Sequence, residues 1–200
     1  MFAMTKMTSS TSKAIDHRSK ILQVAMRLAR TRGFNAFSYR DIQAEVGIKT
    51  ASIHYHFPTK KDLGLALMTQ YIQENEQLLA DIAQSNQSYL AQFRAYTQLF
   101  GKDDDSVQEL CLAGMLASDV DTLTTELETL IQKFFVQSEA WLTALFTAGQ
   151  QSGEFKSTFE PSSIARLAVD ALEGALSTAR VFHKPQRPMQ VAQALEALLI

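Results

Sequence analysis

Apolar positions in this chain recur at helical spacing from one end to the other, and nowhere alternate for long enough to mark a strand. Ile21, Ala25, Leu28 and Ala29 fall at i, i+4, i+7 and i+8 before Gly33, which predicts a first amphipathic helix over about residues 16–32. Ile42 and Val46 give a short second helix one apolar stripe, starting near Tyr39 and ended by Gly47. A third starts near Lys49 or Thr50, turns Ile48, Ile53 and Phe57 inward, and must stop before Pro58. Longer helices follow: 59–84, 88–100 with Tyr89, Phe93, Tyr96 and Phe100 at helical spacing, 106–118, and one capped at Asp121 or Thr122 that reaches Gln151. Pro161 and Pro188 suit the first turns of the last two. An all-α chain is the result.

Local capping chemistry sharpens the first sixty residues. Ser38 with Asp41, and Thr59 with Asp62, have the spacing of capping boxes, in which hydroxyl and carboxylate satisfy N–H groups left open at a helix start. Two short helices joined at a glycine describe a helix-turn-helix, whose second helix enters the DNA major groove. Its outward candidates are Lys49, Thr50, Ala51, Ser52, His54, Tyr55 and His56, with Ser38, Tyr39 and Arg40 at the start of the preceding helix and Lys60 after the third. Hydroxyl, imidazole and cationic groups bond base edges and phosphates. Phe34 and Phe37 read as core plugs of a small unit.

Charge changes the picture when it is divided along the chain. The total is −2, yet residues 1–62 hold 11 Lys and Arg against 4 Asp and Glu, and residues 63–200 hold 8 against 17. A head at +7 on a body at −9 places positive potential where phosphates would lie. The expected domains are accordingly 1–62 for DNA and 63–200 for effector binding and dimerisation. The opening MFAMTKMTSSTS, with Lys6 and Lys13, reads as a flexible arm that can add phosphate contacts. No signal peptide or spanning segment is visible and there is a single cysteine, which together suggest a reducing cytoplasm.

The head resembles the TetR (tetracycline-repressor) family of bacterial regulators. Gly33-Phe34, Arg40-Asp41-Ile42, Val46-Gly47-Ile48, and His54-Tyr55-His56-Phe57 followed by Lys60 and Leu63 carry the likeness over about 65 residues. His54 stands where the family usually has tyrosine, and Gln43 where alanine usually packs. The resemblance implies a homodimer whose heads bind a palindromic operator and whose bodies bind a small inducer, the usual role being that of a repressor.

Candidate chemistry in the body is that of binding. No metal, cofactor or catalytic constellation is expected, since the four histidines do not converge and neither a phosphate loop nor a nucleophile elbow occurs. The acidic run Asp103–Asp105 reads as a solvated loop. Phe93, Tyr96, Phe100, Cys111, Met115, Trp141, Phe146 and Phe182 are the candidate effector contacts, and an apolar or aromatic ligand follows from them. Cys111 is open to two readings, a small buried hydrophobe or a thiolate that traps electrophiles. Some TetR relatives that sense electrophiles carry a cysteine in a similar place. Leu167, Ala171, Gly174, Ala175, Leu195 and Leu198 are expected at the dimer interface, as parts of two apolar stripes on the last helices. A DNA-binding or architectural protein without an effector is the main alternative, and an effector-binding enzyme the third.

Overall fold

A computed structural model describes residues 7–85, 88–101 and 109–200, with side chains from residue 17 onward. The described residues form nine α-helices and no strand: α1 (Met7–Arg32), α2 (Tyr39–Val46), α3 (Thr50–His56), α4 (Lys60–Ser85), α5 (Tyr89–Gln98), α6 (Leu112–Ala117), α7 (Thr125–Gln151), α8 (Pro161–Phe182) and α9 (Arg187–Leu199). Short 3-10 turns lie at Phe34–Ala36 and Val120–Thr122.

The head is built as its punctuation predicts. The Asp41 carboxylate accepts from the Ser38 N–H at 2.8 Å and from its hydroxyl at 2.7 Å; Asp62 does the same for Thr59 at 2.9 and 2.7 Å. Gly47 takes φ 75°, ψ 25°, the left-handed turn that an L side chain resists, and donates to the Gln43 carbonyl. Ile21, Leu28, Phe34, Phe37, Ile42, Ile53 and Phe57 are all buried in one cluster.

Three expectations are corrected. The Ser/Thr-rich start is helical from Met7; it contains no Gly or Pro, and each Ser or Thr costs only a few tenths of a kcal/mol, roughly, relative to alanine. Lys6 lies outside the described residues. Of the helix expected over 106–118, residues 106–108 lie outside the described residues and the rest is helical only over Leu112–Ala117, because the Leu110 N–H donates to the Arg30 carbonyl at 3.0 Å instead of continuing a helix. α7 begins at Thr125, since the Thr122 hydroxyl bonds the Asp119 carbonyl at 2.7 Å and receives Asn35 at 2.9 Å. Asp103–Asp105 lies outside the described residues.

Two core clusters set the long axis. The first crosses from head to body, joining the head residues to Leu63, Leu67, Leu112, Leu116, Leu127 and Ile131. Gly64 permits that junction, as a Cβ there would sit 2.9 Å from Phe34 Cζ and 3.0 Å from Leu127 Cδ2. The second fills the far end with Phe93, Phe146, Phe155, Leu172, Leu195 and Leu199. No helix among the described residues is long and apolar enough to cross a membrane.

Candidate nucleic-acid interface and body cavity

α3 presents a polar outer face because its inner face is spent on Ile53 and the following Phe57. Tyr55 is 80% exposed, and Lys49, Ala51 and His54 are exposed beside it. Thr50 and Ser52 are half-buried; the Thr50 hydroxyl donates to Gln43 Oε1, which binds α3 to α2. Gln43 thus holds the turn where a smaller residue would merely pack. His54 lies 3.1 Å from the Pro58 carbonyl and its ring meets Tyr39 at 4.7 Å, so one edge of the imidazole is occupied. His56 stands edge-on to Tyr55 at 5.2 Å. Burial first, and then the charges of His17 and Arg18, hold its imidazole below the usual range, favouring the neutral form. Ser38 and Arg40 are exposed.

Two predicted contacts turn inward. Tyr39 is buried, with its hydroxyl 2.8 Å from the Phe57 carbonyl and 2.7 Å from that of Thr59; burial, aided by Asp62, pushes its pKa to about 12. Its ring fills the gap between α2 and the end of α3, so it shapes the reading helix without facing outward. Lys60 donates to the Phe37 carbonyl and lies 4.5 and 5.0 Å from the Phe37 and Phe34 ring centroids. Its ammonium is spent on the head's own aromatic core. Sequence spacing marks neither, because each is the first residue of its helix, where orientation depends on the neighbouring helix.

A cavity of about 240 Å³ opens in the body between α1, α4, α5, α7 and α8. Its walls include Tyr71 stacked on Phe134 at 5.2 Å, and Tyr96 tilted against Phe100 at 5.5 Å. Cys111, Glu173 and Arg30 bring the polar groups. Arg30 belongs to α1, the first helix of the head: its Nη1 pairs with Glu109 at 2.8 Å and its Nε donates to the Leu110 carbonyl at 2.8 Å. Burial, reinforced by Glu173, pushes the Cys111 thiol well up, so it is held as a thiol. Burial also raises Tyr71, Tyr96 and Glu173, favouring their neutral forms.

Of the eight predicted effector contacts, Tyr96, Phe100 and Cys111 line this cavity. Trp141 stands one ring behind it, stacked on Tyr96 at 5.6 Å. Phe93 and Phe146 pack on each other at 5.5 Å in the far cluster. Met115 packs toward Gly33, its Cε 3.6 Å from where a Cβ on that glycine would lie. Phe182 is 57% exposed under the Arg187 guanidinium; six residues past the cavity-lining Leu176, it is rotated by roughly 240° to the outer side of α8. Sequence reading missed Tyr71, Phe134, Glu173 and Arg30. Tyr71 and Phe134 could have been found as aromatic positions facing one another on adjacent long helices, but Arg30 had no signal beyond its charge.

Residues 21–67 match the family described as "Bacterial regulatory proteins, tetR family", and residues 87–195 match "Tetracyclin repressor-like, C-terminal domain". The chain belongs to the TetR family of transcriptional regulators. A TetR-family regulator from Agrobacterium tumefaciens superposes with a TM-score of 0.89 at 30% identity, over 93% of this chain and 98% of that one. One from Legionella pneumophila gives 0.79 at 30% identity, over 90% and 96%. The HTH-type transcriptional regulator CymR of Pseudomonas putida is 25% identical over 150 residues, 72% of each chain. Fold and DNA-binding function therefore go together in this TetR-family protein, and the helix-turn-helix built by α2 and α3 lies within the matched N-terminal segment.

The predicted interface residues divide between two faces. Leu167 and Leu198 are 49% and 43% exposed, Gly174 is exposed and Ala171 half-buried. Ala175 and Leu195 are instead buried within the chain, Leu195 in the far cluster. Helical rotation by one residue separates the outward Gly174 from the inward Ala175. Val181 and Phe182 extend the outward face of this TetR-family chain toward the end of α8.

Proposed function

We propose that this TetR-family regulator is a homodimeric, cytoplasmic repressor whose residues 1–62 hold a palindromic operator and whose residues 63–200 dimerise and bind a small effector that releases the DNA. The observation that carries this reading is Arg30, which lines the body cavity while standing on the first helix of the head. A ligand in the cavity meets the Arg30–Glu109 pair directly. Arg180 of α8 also donates to the Thr31 carbonyl, so α8 and the segment before α6 both touch the end of α1. An effector that prefers a different α1 position shifts the heads away from the spacing of about 34–36 Å that successive major grooves require, and only by that preference.

Ser38, Arg40, Lys49, Ala51, Ser52, His54, Tyr55 and His56 form the reading surface in this proposal. Arg40 and Lys49 are exposed and enter no ion pair among the described residues, which leaves them free for phosphates. Footprinting on the regulator's own upstream region, followed by operator titration of wild type and Tyr55→Ala, tests this. Tyr55→Ala is expected to weaken specific binding by about 1–3 kcal/mol with Tm unchanged, since its side chain supports nothing inside the head. An unchanged affinity would remove Tyr55 from the interface. Failure of every compound in a broad screen to lower operator affinity would favour the effector-free alternative.

A further inference from the structure

The cavity is aromatic but not electrically neutral. Its charged lining is Arg30, Glu74, Glu109 and Glu173, one cation against three acids. Arg30 is already committed, to Glu109 at 2.8 Å and over the Tyr71 ring at 5.8 Å from its centroid. No described basic side chain pairs with Glu74 or Glu173. Glu173 reaches from α8 to the start of α6, where Gly114 leaves room for it: a Cβ on that glycine would lie 2.6 Å from Glu173 Oε2. Around the carboxyl stand the Tyr71–Phe134 and Tyr96–Phe100 ring pairs.

Burial raises the Glu173 carboxyl above the usual carboxylate range, and a cation placed beside a half-buried acid with no counter-charge would favour its ionised form. Aromatic faces attract the same cations. An anionic ligand would meet three carboxyl groups and a guanidinium already paired; a neutral one would leave Glu173 with its Cys111 thiol contact and no counter-charge. We propose, resting on the effector reading above, that the ligand of this cavity is an organic cation, a protonated amine on an apolar body, with its ammonium paired to Glu173 and its body against Tyr71, Tyr96, Phe100 and Phe134.

Three probes share one body and differ in charge: 4-phenylbutylamine, 4-phenylbutanol and 4-phenylbutyrate. Trp141, one ring from the cavity through Tyr96, reports binding to the full chain by fluorescence. The amine is expected to bind about tenfold or more tighter than the alcohol, with the carboxylate weakest. Glu173→Gln should erase the amine's advantage and leave the alcohol's affinity unchanged; Glu173→Asp, which keeps the charge, should retain part of it. Circular dichroism on both variants reports whether the fold is intact. Amine affinity should rise as pH climbs above 4.5, the ordinary glutamate value, in wild type and stay flat in Glu173→Gln, because Glu173 must shed its proton to pair. The other titratable or charged groups of the lining are Tyr71 and Glu74 on α4, Tyr96 on α5, Glu109 and Cys111 ahead of α6, and Arg30 on α1; all are common to wild type and variant, so a slope lost in Glu173→Gln belongs to Glu173. An alcohol or carboxylate that binds as well as the amine, an amine preference that survives Glu173→Gln, or no binding of any probe overturns the cation assignment. The effector reading fails on a different result, when no compound of any charge lowers operator affinity.

Discussion

Tyr39 and Tyr55 show how far one side chain's role depends on where its helix meets the next. Both are tyrosines on helices of the reading motif, yet one is buried with its hydroxyl on two carbonyls and the other is 80% exposed. Burial is what distinguishes a brace from a contact. The same reasoning applies to Cys111, whose thiol is buried, raised by desolvation and close to Glu173. Electrophile trapping needs a thiolate that reagents can reach, and this site opposes both conditions. Labelling with 5,5′-dithiobis(2-nitrobenzoate) at pH 8 should therefore be slower in the folded chain than in urea by roughly a hundredfold or more, a factor set by opening free energies of a few kcal/mol. Rapid labelling of the folded protein would restore the thiol to the list of sensors.

Helix ends are where the elements are tuned. Glu160 caps α8, accepting from the Ser163 N–H at 2.7 Å and from the Ser162 hydroxyl, and those bonds, led by Ser162, pull its pKa from 4.5 down to about 2. A depressed folded value means that the carboxylate stabilises α8 fully above pH 4.5 and loses that effect as pH falls toward 2. Glu160→Gln should lower Tm by about 1–3 °C at pH 7, and the difference should close on acidification to pH 2.5. A difference independent of pH would assign the effect to shape rather than charge. α8 matters beyond its own stability, because it carries Glu173 in the cavity, Arg180 on the head and the outward face with Gly174.

Assembly belongs to the whole molecule, and the structure changes which residue tests it. Ala175 is buried in its own chain, so a charge there would disrupt the body before any dimer was probed. At Gly174 an added Cβ meets nothing within 4 Å, which makes substitution harmless to one protomer. Gly174→Glu should leave helicity and Tm of the protomer unchanged while converting a dimer to monomer at micromolar concentration, because two-fold symmetry places the carboxylate in the interface twice. Light scattering reads the mass, and operator affinity should fall with it, as one head makes half the contacts. A variant that remains dimeric would place the interface elsewhere.

Periodicity, caps and breakers are local, so the sequence alone settled the all-helical class, the order of helices, the two short helices of the reading motif and the family. Ser38, Asp41, Gly47 and Pro58 act on their immediate neighbours, and no distant contact is needed to interpret them. Distances between helices decided the rest. Whether Tyr39 or Tyr55 faces outward, whether Gly174 or Ala175 does, and that Arg30 of the head shares a wall with Tyr71 and Glu173, follow from how α1, α4 and α8 cross. Those crossings arise from packing of side chains far apart in the chain, such as Phe34 against Gly64 and Leu127, which no spacing along the sequence encodes.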